Sequence, residues 1–271
     1  KYIFPFINFF PNVNGTGQLI ESNLIIFRII RFFYPRLLQS ANHIFFHNKH
    51  DLNYFSNKKI KHKISLVGGS GIKLKKEKIA RNSYDLDFNK PKIGCFARLL
   101  VDKGIREFIE ASKLIFKKYP FMKGNIILAG SYYQKNLKKN TITQNEISSW
   151  ESCGGIFIGE PVNKEEFYKS LDIFCLPSYR EGLSNVLLEA GSMGCILLSS
   201  NAPGCIDVIE DNAGISFEPK SVESLYYAIM KSMKLNFESQ SVLRSNCHSK
   251  IRNNFLKKSV NDIYLSKLGM K

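Results

Sequence analysis

Short apolar runs alternate with longer amphipathic stretches through the middle of the chain. From Lys92, "KIGCF" is followed by an amphipathic stretch over Lys103–Lys118. "NIILAG" precedes a polar segment reaching Ser152, and "GIFIG" precedes "KEEFYKSL". "IFCLP" leads into "PSYREGLSNVLLEAGSMG", whose apolar part predicts a helix, and "CILLSS" follows. Apolar runs of this length, with Gly or Pro at their ends and helical stretches between them, predict βα units around a parallel sheet. Ligands of such sheets bind at the carboxyl ends of the strands, so the residues just after each strand come first.

The first 90 residues differ. "HIFFHN" and "KISLVGGSG" predict strands and Asn23–Ser40 a helix, too few elements for a complete doubly wound domain. The stretch "GGSGIKLKKEKIARNSYDLDFNKP" turns polar and glycine-bearing, as a linker does. The expectation is an α/β chain with a partial domain at 1–88 and a second at 89–245.

Composition narrows the class. The 271 residues are 44% hydrophobic and 23% charged, which excludes a disordered chain. A net charge of +16 favours anionic partners, but no motif supports nucleic acid. Six cysteines show no CxxC pair, which predicts buried free thiols in a reducing compartment. Five histidines show no metal-binding spacing, and the two acids of "DLD" at Asp85–Asp87 read as a solvated turn, so no metal is expected. The run "NLIIFRIIRFFYPRLL" is broken by Arg28, Arg31 and Arg36, so it does not predict a spanning helix. With no signal peptide visible, a cytoplasmic protein is expected, at most at the inner face of the membrane. Arginines interleaved with large apolar residues suit an anionic membrane surface. The competing reading, preferred for the apolar residues, is a core helix packed on the sheet.

The post-strand positions carry the candidate chemistry. Arg98 follows "KIGCF" and Lys103 stands where the next helix starts. An Arg fork and a Lys point charge make a pair suited to a diphosphate; the alternative is two solvated surface cations. After "IFCLP", Ser184 or Asn185 can cap a helix whose free amides form an anion site. Glu181 precedes that cap. Glu189 lies a little over one turn into the helix among Leu187, Leu188 and Ala190. A buried carboxylate there would need ligand hydroxyls or an internal Arg; otherwise Glu189 is an ordinary exposed helix position. The Glu160-Pro161-Val162 loop after "GIFIG" could read a flat base with its backbone groups.

Three stretches carry a resemblance: "FARLLVDKGIREFIEA", "GIFIGEPVNKEEFYKSLDIFCLPSYREGLSNVLLEAGSMGCILLSS" and "PGCIDVIEDNAGISFEP". With the spacing Glu181-x7-Glu189, the chain over about 60–260 resembles the second domain of family 4 retaining glycosyltransferases, closest to the capsule and lipid-linked oligosaccharide type. The resemblance implies the GT-B fold, two Rossmann-like domains with parallel sheets and a cleft between them, the N-terminal one here incomplete. A closing helix at 246–271 is expected to return to the first domain. It implies a nucleotide sugar, UDP-linked, as donor and a polysaccharide or lipid-linked acceptor, without a metal. Arg98 and Lys103 would grip the diphosphate and Glu181 would face the transferred sugar. The amides of Gly182, Leu183, Ser184 and Asn185 would hold sugar hydroxyls or phosphate. Glu189 would accept from the ribose hydroxyls, and Glu160, Pro161 and Val162 would border the base. In "FFPNVNGTGQLI", Asn14 stands where family members carry a His before Gly-x-Gly. That substitution keeps a second reading open: a nucleotide-sugar-binding chain without transfer. A sugar-nucleotide epimerase would need acid–base residues from the first domain that are not seen.

Overall fold

The computed structural model describes residues 8–17, 22–56, 59–74, 90–132 and 140–270. The boundary expected at 88/89 and the Asp85–Asp87 turn lie outside these residues, as do parts of "FFPNVNGTGQLI" and of the polar segment before Ser152.

Among the described residues two separate sheets form. The first is parallel throughout, in the order β1 (Asn12–Val13), β2 (Ile44–Phe46), β3 (Ile64–Leu66). Helix α1 (Ile25–Gln39) links β1 to β2, and α2 (Lys49–Phe55) follows β2. The second sheet holds β4 (Ile93–Phe96), β5 (Ile126–Ala129), β6 (Ile156–Phe157), β7 (Ile173–Leu176), β8 (Ile196–Ser200) and β9 (Ile215–Phe217). All neighbours are parallel, in the order β6-β5-β4-β7-β8-β9. The strands β4, β7 and β8 are buried along their whole length, as expected where helices cover both faces.

The helices follow from local sequence. In α3 (Ile105–Lys118), Ile105, Phe108, Ile109, Ser112, Ile115 and Phe116 recur at helical spacing and are buried. The polar segment before Ser152 contains α4 (Gln144–Ser152), capped by Thr143 with Glu146 bonding back to its amide. Then come α5 (Lys164–Lys169), α6 (Asn185–Ser192), α7 (Ile206–Ile209), α8 (Val222–Met233), α9 (Phe237–Asn254) and α10 (Lys257–Leu268). Position 245/246, expected as a division, falls inside α9, so the closing helical region starts earlier, at Phe237.

The core-helix reading of Asn23–Ser40 is corrected. Only Leu38 of α1 is buried, while Ile25, Ile26, Ile29, Ile30, Phe32, Phe33 and Leu37 are 39–73% exposed. Apolar residues stand on nearly every side of this helix. One face alone can meet the sheet, and Tyr34 and Leu38 supply its contact with the first core.

The chain links the two halves twice, side by side. The Ile72 amide donates to the Phe255 carbonyl and the Lys257 amide to the Ile72 carbonyl, both at 2.8 Å. Helix α10 then lies against the first sheet: the Tyr264 ring is 4.4 Å from that of Phe45, and Asn12 Nδ2 donates to the Tyr264 hydroxyl at 2.8 Å.

Candidate active site

In the second sheet the direction of chain winding reverses between β4 and β7, which are hydrogen-bonded neighbours. A crevice opens at such a reversal, outside the carboxyl ends of the two strands. Lys103 follows β4 and Glu181 follows β7, so the topology alone brings their loops together.

The contact is direct. Lys103 Nζ donates to Glu181 Oε1 at 2.7 Å, and Ser178 Oγ donates to the same oxygen at 2.8 Å. Lys103 is buried and Glu181 half-buried. The two loops abut through their backbones as well. Tyr179 N donates to the Asp102 carbonyl at 2.9 Å, and a Cβ on Gly104 would stand 2.0 Å from the Pro177 carbonyl oxygen. Gly104 also has φ +68°, so this turn admits glycine on both counts. A third loop closes the other side: Glu181 N donates to the Pro203 carbonyl at 2.9 Å and Ser184 N to the Gly204 carbonyl at 3.1 Å.

Ser184, not Asn185, caps α6, its side chain accepting from the Leu187 amide. Replacing Ser184 with Ala removes that cap and is expected to lower stability by about 1 kcal/mol. Thermal unfolding would register this as a fall of about 2–4 °C; no change would mean that another group supplies the cap. Asn185 is exposed at the first turn of α6, while Gly182 and Leu183 lie in the loop between Glu181 and the cap.

Glu189 is half-buried and, among the described residues, pairs with no internal Arg: the Tyr168 hydroxyl donates to its Oε2 at 2.9 Å. Burial, then the charge of Glu189, pushes the Tyr168 phenol far above its ordinary value, so it remains a donor. Arg98 is exposed on the same sheet edge as Lys103. Glu160, Pro161 and Val162 form a loop after β6, Glu160 and Val162 exposed and Pro161 half-buried, directly before Asn163, whose side chain caps α5.

Sequence reasoning missed a cluster from the first sheet. Asp51, 0% exposed, accepts from Thr16 N at 3.0 Å, Thr16 Oγ1 at 2.7 Å, Asn48 Nδ2 at 3.0 Å and Arg180 Nη2. Asn48 Nδ2 also donates to the Gly182 carbonyl at 2.9 Å. The Asn14 side chain lies so close to Gly182 that a Cβ there would meet its Oδ1 at 1.9 Å. Glu181 is therefore bracketed by Arg180 and Gly182, both held from the first sheet. Burial raises the Asp51 carboxyl, but the Thr16 and Asn48 hydrogen bonds and the Arg180 charge outweigh it and hold it below the ordinary carboxylate value. The local signal was an Asx cap: Asn48 Oδ1 accepts from the Asp51 amide at 2.7 Å.

Among the described residues no group of three or more His, Cys, Asp or Glu is placed to hold a metal ion. The cysteines are unpaired, and all but Cys153 are buried.

Residues 76–250 match the family described as glycosyl transferases group 1. A Campylobacter jejuni protein named N,N'-diacetylbacillosaminyl-diphospho-undecaprenol alpha-1,3-N-acetylgalactosaminyltransferase is 26% identical over 218 residues, 74% of this chain and 54% of its own length. A Staphylococcus aureus capsular polysaccharide biosynthesis glycosyltransferase is 26% identical over 214 residues, 74% of this chain and 53% of its own. The chain thus spans about half the length of the curated relatives it matches. Among solved structures, Anabaena HepE in complex with UDP superposes with a TM-score of 0.76 at 16% identity, covering 97% of this chain and 72% of that one. The two parallel sheets are those of a GT-B fold.

Proposed function

The chain belongs to the glycosyl transferases of group 1, and from that premise we propose that it transfers a hexose or N-acetylhexosamine from a UDP-sugar to a polysaccharide or lipid-linked acceptor. The observation that carries this reading is the Lys103–Glu181 contact at the winding reversal of the second sheet, with Glu189 on the helix that directly follows. Lys103, with Arg98 on the same edge, meets the negative charge that grows on the diphosphate as the bond from the anomeric carbon to UDP breaks. Fixed cations of this kind stabilise the leaving group without reorganisation. Glu181 faces the transferred sugar, and Gly182 to Asn185 offer amides to its hydroxyls. The acceptor hydroxyl attacks on the face that UDP leaves, its proton passing to a diphosphate oxygen, so configuration is retained. No step calls for a metal. Glu189 takes the ribose hydroxyls and the Glu160–Val162 loop borders the base.

The names of the two curated relatives, one acting on a diphospho-undecaprenol and one in capsule biosynthesis, support an acceptor of that kind. The exposed apolar side of α1, with Arg28 and Arg36 exposed and no acidic residue in the helix, suits the anionic inner face of a membrane, where such an acceptor lies. No helix among the described residues is long and apolar enough to cross a membrane. Asn14 at the place of the family His favours a second reading, donor binding without transfer.

The first test is calorimetric titration with UDP, UDP-GlcNAc and GDP, beside Glu189→Ala. Saturable UDP binding that weakens at least about tenfold in the variant is expected for the loss of a charge-assisted contact. A folded chain that binds no nucleotide would sink both readings, whereas binding without UDP release from UDP-GlcNAc would leave the second.

A further inference from the structure

Glu189 is held by a residue that the reaction itself does not call for. Tyr168 is buried, and its ring is wedged among aromatic neighbours: Phe174 at 5.4 Å, Phe167 at 5.6 Å and Phe96 at 6.4 Å between centroids. These rings come from β7, from α5 itself and from β4. The backbone is tied as well, the Tyr168 carbonyl accepting from Cys195 Sγ at 3.2 Å. The direction of the phenol is therefore set by the core. It points at one atom, Glu189 Oε2, at 2.9 Å. Glu189 Oε1 has no hydrogen-bond partner among the described residues, and the side chain is only half-buried, so this oxygen can be reached by a ligand.

We propose that Tyr168 is a positioning residue for the donor's ribose: it saturates Oε2 and turns Oε1 of Glu189 toward the ribose hydroxyls. The inference rests on the reading that Glu189 receives the ribose. A carboxylate free to rotate would lose rotamer entropy on binding; one already clamped by a buried phenol does not. The same six-residue helix, α5, is capped by Asn163, directly after the Glu160–Val162 loop. The segment that borders the base is thus continuous with the one that aims the ribose acid, and the two contacts share one rigid support. A purely structural Tyr168, whose hydroxyl merely finds an acceptor, would leave the discrimination between nucleotides untouched.

The test compares UDP with 2′,3′-dideoxy-UDP by calorimetry on the full chain, for the wild type and Tyr168→Phe. The wild type is expected to prefer UDP, and Tyr168→Phe to bind UDP about tenfold more weakly while its affinity for the dideoxy analogue stays within about twofold. In a Glu189→Ala background, Tyr168→Phe is expected to add nothing, as two residues acting through one contact are not additive. Equal UDP affinity in wild type and Tyr168→Phe overturns the proposal, and so does an equal loss for both nucleotides, the mark of a loosened core. A wild type that binds neither nucleotide overturns the donor reading itself, a result distinct from both.

Discussion

Arg180→Met is expected to destabilise the chain by about 3–5 kcal/mol, a fall of roughly 10 °C in thermal unfolding. The substitution keeps most of the side-chain volume and removes the cation. Asp51, 0% exposed, is then left with hydrogen bonds from Thr16 and Asn48 and with the exposed His50 ring, Nδ1 3.5 Å from Oδ1, in place of the guanidinium. Arg180 itself is only 10% exposed at the side chain, so water cannot readily take its place. Removing the acid as well, in Asp51→Asn with Arg180→Met, is expected to recover most of the loss. Buried ion pairs are costly to break and cheap to replace together. The pH dependence carries the sign. Asp51 titrates below its ordinary value in the folded chain, so its contribution is present above the unfolded pKa and lost as pH falls through the folded one. The gap in melting temperature between wild type and Arg180→Met should therefore narrow below about pH 4. A gap that is the same at pH 3 and pH 7 would show that the loss is one of packing, not of charge.

Lys103→Met is expected to cut UDP release from UDP-GlcNAc by about 10²–10³-fold, the scale seen when a preorganised donor to a developing anion is removed. Stability should change little by comparison, about 1–2 kcal/mol, because Glu181 keeps Ser178 Oγ and is 22% exposed, within reach of water. The selective readout is the nucleotide series. A lysine that holds the diphosphate affects UDP and not uridine, so UDP affinity should drop about tenfold while uridine affinity stays level. Equal weakening of both would place Lys103 in a structural role, as the counter-ion that fixes the Glu181 loop.

Five strands of the second sheet, β4 to β8, were legible because each is a short apolar run with Gly or Pro close to one end, a signal internal to a few residues; β9, only three residues long, was not read. The crevice was legible for the same reason: once the strands are placed, the positions after them follow. Helix α4 carried its own local signal, Thr143 with Glu146 three residues on, and the polar look of the segment hid it. Asp51 and Arg180 are 129 residues apart, and neither residue's neighbourhood announces the other. A pairing of that kind is fixed by how the two sheets meet, which no periodicity encodes. The partner of Glu189 was open between a ligand and an Arg because helical spacing gives the face of Glu189 but not what α5 brings against it. Helix α1 misled in the opposite sense: its density of Ile and Phe looks like core, and only the position of the first sheet shows how little of it can be covered.

The path of α10 bears on the order in which the molecule assembles. Phe45 belongs to the first sheet, yet Tyr264, the ring that covers it, follows every strand of the second. During synthesis the first sheet must wait with this face open until some 200 further residues have been made, a separation that slows folding and prolongs exposure. The second sheet closes its core from nearer neighbours, and it can fold while the first is still unfinished. A pulse of hydrogen exchange during refolding should then find β7 and β8 protected before β2. The half that is translated first is the half completed last.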